Sequence, residues 1–150
     1  TNLIRENIQR LKGHVDIIDG DVTEPDRWWD GKPYDRIILD APCSGSGVIR
    51  RHPDIRVLRR HTDIPRFSCN QLNMIQQLWP LLRRGGCLLY ITCSIFPAEN
   101  DAVIELLLEN TKDACSVPSD YSLGESTRFG RQFLPCSEGD GLYYAIVQKC

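Results

Sequence analysis

The sequence predicts an α/β domain in which a mainly parallel sheet is covered by helices. Short apolar runs alternate with segments of helical spacing, an order typical of such sheets. Two of the runs, at 34–39 and 87–91, end abruptly in polar residues. The 150 residues fit one domain and are enough to bury a substantial core. In open α/β sheets, chemistry is placed at the carboxyl ends of strands, so we expect a site where these two runs end.

Apolar residues at helical spacing predict three longer helices, at 1–12, 68–84 and 97–110. The second contains Pro80, which should kink it, and Gly85 is its expected end. No apolar run approaches the roughly 20 residues that span a bilayer, so we expect no membrane segment.

Four strands are predicted, at 15–18, 34–39, 87–91 and 142–147. The segment 115–140 is rich in Ser, Gly and Pro and shows no clear periodicity. Because the last strand follows a loop rather than a helix, we expect it to be an antiparallel addition at the edge of the sheet.

The seven cysteines form no Cys-x-x-Cys pair and no Cys/His spacing of the kind found in zinc sites. We therefore expect mostly reduced thiols that pack as small apolar groups, and no metal site. Cys43 and Cys93 differ from the others because each closely follows one of the two strong strands. This placement predicts two thiols side by side at one edge of the sheet.

Basic residues are concentrated in one part of the chain. The formal net charge is −2, yet residues 44–84 contain eight arginines and only two aspartates. A basic segment beside a candidate site is typical of proteins with polyanionic substrates. The alternative is a solvated surface loop whose arginines make local ion pairs. The long stretch 44–66 favours a functional loop, since unstructured loops of this length are uncommon in compact domains.

A nucleophilic cysteine reacts as the thiolate, so its pKa must fall from about 8.5. Cys93 lies four residues before Pro97, the predicted start of a helix whose dipole would favour a negative charge. Cys43 lies in a Gly/Ser-rich turn where backbone N–H groups can converge. Asp40, three residues before Cys43, can orient a polar substrate or accept a hydrogen bond from an amino group.

Three short motifs resemble signatures of the Sun/Fmu family of RNA cytosine-C5 methyltransferases. The first joins DAPCS at 40–44 to RRHPD at 50–54. The second is TCS at 92–94 with Glu-Asn at 99–100, and the third is EGDG at 138–141. The two cysteine motifs are specific in this order and spacing, whereas either one alone would be weak.

The resemblance implies a class I S-adenosylmethionine-dependent methyltransferase (Rossmann-like) fold and a covalent mechanism. By resemblance, the Cys93 thiolate adds to C6 of a flipped-out cytosine, and Cys43 assists removal of the C5 proton and release of the adduct. Asp40 would lie near the base and the sulfonium methyl group, and Asp21 would contact the adenine of S-adenosylmethionine. No metal is expected.

The resemblance also implies that the partner is RNA, bound through the basic segment. We expect phosphate contacts, with a strong salt dependence, from the side chains of Arg50, Arg51, His52, Arg59 and Arg60. The sequence is most similar to the branch of the family that acts on 16S ribosomal RNA, which implies a cytoplasmic enzyme.

In this family a glycine-rich cofactor loop and an N-terminal RNA-binding region should precede residue 1, and neither is found in this sequence. We therefore expect residues 1–150 to be the C-terminal portion of the catalytic domain, without its N-terminal strands. One alternative is a non-catalytic RNA-binding fragment or pseudoenzyme. A weaker alternative is a cysteine hydrolase with Cys43 as nucleophile and His52 or His61 as base. It is weaker because Pro42 precedes the cysteine and no glycine lies two residues before it.

Overall fold

The structure is a computed structural model and describes residues 2–118 and 123–150. The four α-helices are α1 (Asn2–Leu11), α2 (Ile55–Leu58), α3 (Asp63–Leu78) and α4 (Asp101–Asn110). Short 3₁₀ helices lie at Pro25–Arg27, Ser46–Val48, Trp79–Leu81 and Pro97–Glu99. The strands are β1 (Tyr34–Asp40), β2 (Leu82–Thr92), β3 (Ala114–Val117), β4 (Glu125–Ser126), β5 (Gly130–Phe133) and β6 (Leu142–Lys149).

The strands form one mixed sheet in the order β1-β2-β6-β5-β4, and β3 also pairs with β6. β1 and β2 are parallel, with Leu39 opposite Tyr90. β6 runs antiparallel to β2, with Tyr90 opposite Ala145. The α/β class and the antiparallel direction of the last strand are confirmed. The prediction of a mainly parallel sheet is wrong, because β1–β2 is the one parallel pair among the described strands and the other four pairs are antiparallel. The expected edge position is wrong, because further strands pair with the other side of β6.

Those further strands arise from the segment 115–140, which showed no pattern in the sequence. β3 and β5 have four residues each and β4 has two, too few positions to display an alternation of period two. β3 and β5 form by pairing with β6, and β4 by pairing with β5, so the tertiary context overrides a weak local preference. Residues 119–122 of this segment lie outside the described residues.

The predicted strand at 15–18 is wrong. The run is not a strand and pairs with no strand in the described part of the chain, and Val15 and Ile18 are 63% and 59% exposed. A β-branched run becomes a strand only where a neighbouring strand accepts its backbone hydrogen bonds and buries one of its faces.

The boundary between α3 and β2 also differs from the prediction. α3 begins at Asp63 rather than at residue 68 and ends at Leu78, and a 3₁₀ turn containing Pro80 follows. Proline has no N–H for the helical ladder, so the helix stops instead of continuing with a kink. Gly85 (φ 75°) lies within β2, where the pairing with β1 shifts register between Leu82 and Cys87.

The core lies between the sheet and the two longer helices. Buried residues alternate along the strands, so that Leu88 and Tyr90 face the core from β2, while Ile38 of β1 is 68% exposed. The helices α3 and α4 pack on each other and contribute Ile75, Leu78, Val103, Ile104 and Leu107 to the same cluster. In the described ranges, no helix is long and apolar enough to span a membrane.

Backbone hydrogen bonds of Gly47 and Gly141 join the three signature motifs beside the carboxyl ends of β1 and β2. The N–H of Gly47 donates to the Cys93 carbonyl at 2.9 Å, and the N–H of Gly141 donates to the Gly47 carbonyl at 2.8 Å. A Cβ on Gly47 would collide with the Gly141 backbone and lie 2.9 Å from the Cys93 oxygen. The backbones of three separate segments therefore meet at a distance that only glycine permits.

We expect Gly47→Ala to lower the free energy of unfolding by about 2 kcal/mol or more, because the added methyl meets backbone atoms that cannot move aside. Gly139→Ala is the matched control, since nothing lies within 4 Å of its Cβ position, and it should change stability by less than about 0.5 kcal/mol. Urea denaturation measures both. Equal stabilities of the two variants would contradict the packing described here.

Candidate active site

Two thiols meet where the parallel strands β1 and β2 end. The strands remain in register to Asp40 and Ile91, and the N–H of Ala41 donates to the Ile91 carbonyl at 2.9 Å. The loops that follow bring the sulfurs of Cys43 and Cys93 to 3.2 Å, although the residues lie 50 positions apart in the chain. The prediction that these thiols lie side by side is confirmed.

The two thiols differ in their tendency to ionise. The hydrogen bond from the Cys43 thiol lowers the pKa of Cys93 to about 7, although partial burial and the charges of Asp40 and Glu99 oppose the shift. The same hydrogen bond, together with burial, raises the pKa of Cys43 far above its ordinary value. As the pH rises above about 7, Cys93 therefore ionises first, and Cys43 keeps its proton.

A buried carboxylate holds both thiol loops in place. Glu99 is fully buried and accepts hydrogen bonds from the N–H of Ser44 at 2.8 Å and from the hydroxyl of Ser94 at 2.7 Å. These serines directly follow Cys43 and Cys93. The side-chain amide of Gln71 on α3 donates to the same carboxylate at 3.1 Å. Glu99 thus fixes the separation of the two cysteines through their neighbours.

Buried side-chain amides brace the loop after β2. Asn100 donates to the Ser94 carbonyl at 3.0 Å and accepts a hydrogen bond from the Thr92 hydroxyl at 2.7 Å. It also donates to Gln132 of β5 at 2.7 Å, and the amide of Gln132 donates to the Ser94 carbonyl at 3.2 Å.

Glu99 and Asn100 belong to a sequence motif that indicates no role for them, and Gln71 and Gln132 belong to none of the motifs. A polar side chain on the apolar face of α3 was the available signal for Gln71. Gln132 lies in a segment without visible pattern, so the sequence offered no signal for it.

Asp40 and Asp21 are both exposed. Asp40 is the last residue of β1 and lies three residues before Cys43. Its negative charge raises the pKa of Cys93. Asp21 follows the extended run at 15–18, and its Oδ1 atom accepts hydrogen bonds from the N–H and hydroxyl of Thr23 at 2.8 and 2.7 Å. These bonds lower the pKa of Asp21. The structure thus places Asp40 beside the thiols, while no hydrogen bond or ion pair joins Asp21 to them.

Three of the five residues predicted to contact RNA bind partners within the chain through their side chains, namely Arg50, Arg51 and Arg59. Asp140 accepts from Arg51 at 2.5 Å and lies 3.7 Å from Arg50. Arg50 also donates to the carbonyls of Cys136 and Ser137, at 3.3 and 3.1 Å. These contacts tie the basic segment to the motif at 138–141.

The side chain of Arg59 contacts other parts of the chain, whereas those of His52 and Arg60 have no partner among the described residues. The Nε of Arg59 donates to the Ser44 carbonyl at 3.0 Å, and its guanidinium lies over the Phe67 ring at 5.1 Å. The side chains of His52 and Arg60 are exposed and make no hydrogen bond or ion pair with the part of the chain that the structure describes. The basic segment therefore combines local structural contacts with free cationic groups.

The alkylation rate of Cys93 by iodoacetamide should rise with pH to half its maximum near pH 7, because the thiolate is the reactive form. Cys43→Ala removes the donor that stabilises this thiolate, so the half-point should move to higher pH. Cys69→Ser removes an exposed thiol outside the pair and is the matched control. Mass spectrometry of the Cys93 peptide provides the rates. An unchanged half-point in Cys43→Ala would contradict the assigned donor.

Glu99→Ala should lower the free energy of unfolding by about 3 kcal/mol or more, because it leaves the buried N–H of Ser44 without an acceptor and removes one acceptor each from Gln71 and Ser94. Glu99→Gln keeps one acceptor oxygen and should cost about 1 kcal/mol. Removing the charge with Glu99→Gln should also lower the pKa of Cys93, measured by the same alkylation profile. Similar stabilities for Glu99→Ala and the parent would show that the carboxylate does not hold the loops.

The chain is similar in sequence to curated proteins. Ribosomal RNA small subunit methyltransferase B of Vibrio cholerae is 48% identical over 147 residues, which cover 97% of this chain and 33% of that protein. The protein of the same name from Yersinia enterocolitica is 47% identical over the same length, with the same coverage. The chain thus spans about a third of the length of the curated relatives it matches.

Solved structures share the fold. PH0851 superposes with a TM-score of 0.90 at 28% identity, covering 99% of this chain and 34% of that one. NSun6 from Pyrococcus horikoshii with SFG gives a TM-score of 0.85 at 26% identity, covering 99% and 38%. A family model described as 16S rRNA methyltransferase RsmB/F matches residues 1–148. Since that match takes in nearly the whole chain, the chain belongs to the 16S rRNA methyltransferase RsmB/F family.

Proposed function

We propose that the chain is the C-terminal portion of the catalytic domain of an S-adenosylmethionine-dependent RNA methyltransferase. The enzyme would methylate C5 of a cytosine in 16S rRNA, in the cytoplasm, through a covalent adduct between Cys93 and C6 of the base. The names of its relatives support RNA methylation. A neighbour solved with SFG, an analogue of S-adenosylmethionine, supports this cofactor.

The observation that carries the proposal is the asymmetry of the thiol pair. A covalent mechanism at cytosine needs one cysteine that is ionised at neutral pH and a second group that exchanges a proton close by. The 3.2 Å contact provides both, because it lowers the pKa of Cys93 and raises that of Cys43. Cys93 therefore takes the role of nucleophile.

The residues present fit part of a site for S-adenosylmethionine. The carboxylates of Asp21 and Asp40 are exposed, and Oδ2 of Asp21 is not used by Thr23, so both can accept hydrogen bonds from amino groups. Asp21 would hold the adenine and Asp40 would lie near the sulfonium centre. When bound, S-adenosylmethionine supplies an electrophilic methyl group.

Attack by Cys93 begins the reaction at the base. The thiolate sulfur forms a bond to C6 of the extruded cytosine, and the electron pair of the C5–C6 double bond becomes available at C5. Asp40, at the end of β1, accepts a hydrogen bond from the cytosine amino group and so orients the ring. Extruding the base costs a few kcal/mol, which contacts to the base and the backbone must offset.

Cys43 acts in the second half of the reaction. Once the sulfur of Cys93 is bonded to carbon, it no longer holds the Cys43 proton, and the main cause of the raised pKa of Cys43 disappears. Cys43 can then lose its proton to solvent and, as a thiolate, accept the proton on C5 once that carbon carries the methyl group. The electron pair of the C5–H bond restores the double bond, the C6–S bond breaks, and Cys93 leaves as a thiolate.

The hydrolase alternative has no support in the geometry. The hydrogen-bond partner of Cys43 is Cys93, and the side chains of His52 and His61 make no hydrogen bond with the described residues. A catalytic cysteine–histidine pair needs such a contact and a third group that orients the histidine.

In the full-length protein, Cys43→Ala should trap a covalent complex with 16S rRNA, because the adduct forms at Cys93 but cannot lose its C5 proton efficiently. The complex would be seen as an RNA-dependent, denaturation-resistant band of reduced mobility on a gel. Cys93→Ala and the double variant are the controls and should give no such band. A band with Cys93→Ala instead would reverse the two roles, and no band with any variant would refute the covalent mechanism.

A further inference from the structure

A pocket of about 500 Å³ lies beside the thiol loops and has one apolar wall. Phe96 and Pro97, from the loop after β2, form this wall together with Ile64 and Pro65 from the first turn of α3. Phe96 is 40% exposed, although aromatic side chains usually bury most of their area. A concave site that presents an aromatic ring to solvent is typical of a ligand pocket.

The pocket is also lined by basic side chains. Arg59, Arg60 and His61 line it, and no carboxylate is among its lining residues, all of which are described by the structure. The side chains of Arg60 and His61 make no hydrogen bond or ion pair with the described residues, so their donors are free for a ligand. A lining of this charge fits a ligand that carries phosphate.

The pocket is fixed relative to the thiols by hydrogen bonds. Arg59 donates to the carbonyl of Ser44, next to Cys43, and the N–H of Phe96 donates to the hydroxyl of Ser94, next to Cys93. The hydroxyl of Ser68 donates to the Ala98 carbonyl at 2.7 Å and joins the wall to α3. Three peptide units separate Phe96 from Cys93, so their Cα atoms lie within about 11 Å.

We propose that this pocket binds the base of an RNA nucleotide next to the target cytosine, an inference that rests on the proposed function. Base stacking on an aromatic ring beside cationic groups is the usual means of holding single-stranded RNA. When the target base leaves its stack, its neighbour loses a stacking partner. Phe96 supplies a replacement, and Arg60 and His61 contact the adjoining phosphate.

The experiment measures RNA binding by the full-length protein with a short, adenine-rich RNA that carries one central cytosine. A second RNA lacks the two bases that flank the cytosine. Phe96→Ala should weaken binding of the intact RNA about ten- to a hundredfold, and Phe96→Trp should retain it. On the abasic RNA, Phe96→Ala should have no further effect, since the stacking base is already missing.

Leu106→Ala is the matched control, because Leu106 is 43% exposed on α4 and lines no part of this pocket. It should bind both RNAs like the parent. An unchanged affinity of Phe96→Ala for the intact RNA, or an equal loss on both RNAs, would overturn the proposal.

The adduct assay with Cys43→Ala separates this inference from the proposed function. If Cys43→Ala traps an adduct but Phe96→Ala leaves the RNA affinity unchanged, only the base pocket is rejected. If Phe96→Ala weakens binding of the intact RNA but not of the abasic RNA, and no adduct forms, the covalent mechanism is rejected and the base pocket is supported.

Discussion

The arrangement of the site depends on one buried carboxylate. Glu99 accepts hydrogen bonds from the residues that directly follow both cysteines and from α3, and it is fully shielded from solvent. A carboxylate can be buried in this way only when hydrogen bonds replace the water it loses. Because the donors come from both loops and a helix, the loops cannot separate without exposing Glu99. The fold thereby holds two thiols at a distance where they share a proton.

The same rigidity explains how similar groups acquire different chemistry. Cys43 and Cys93 both follow parallel strands and are both partly buried. The contact between the two sulfurs distinguishes them, since it lowers the pKa of Cys93 and raises that of Cys43. In the mechanism that we propose, formation of a bond at Cys93 removes the constraint on Cys43, and the two side chains act in turn as nucleophile and base.

The basic segment illustrates that position in the sequence does not define a role. Arg50, Arg51 and Arg59 belong to one arginine-rich stretch, yet each is held by a partner elsewhere in the chain. The side chain of Arg60 has no such partner among the described residues, and it lines a pocket with the exposed ring of Phe96. Local contacts therefore account for three members of the segment, and RNA recognition is a proposal for those without such a contact. The partners of these three come from loops that only the folded chain brings near.

The sequence by itself determined the α/β class, the two strands that end beside cysteines, and the family signatures, because periodicity and short motifs are local properties. Only the tertiary structure decided which thiol carries the proton, what Glu99 and Gln132 do, and where β6 lies. A pKa shift and a strand's neighbours depend on contacts between residues far apart in the chain, such as the two sulfurs 50 positions apart. The failed strand at 15–18 has the same cause, since local β preference produces no strand without a pairing partner.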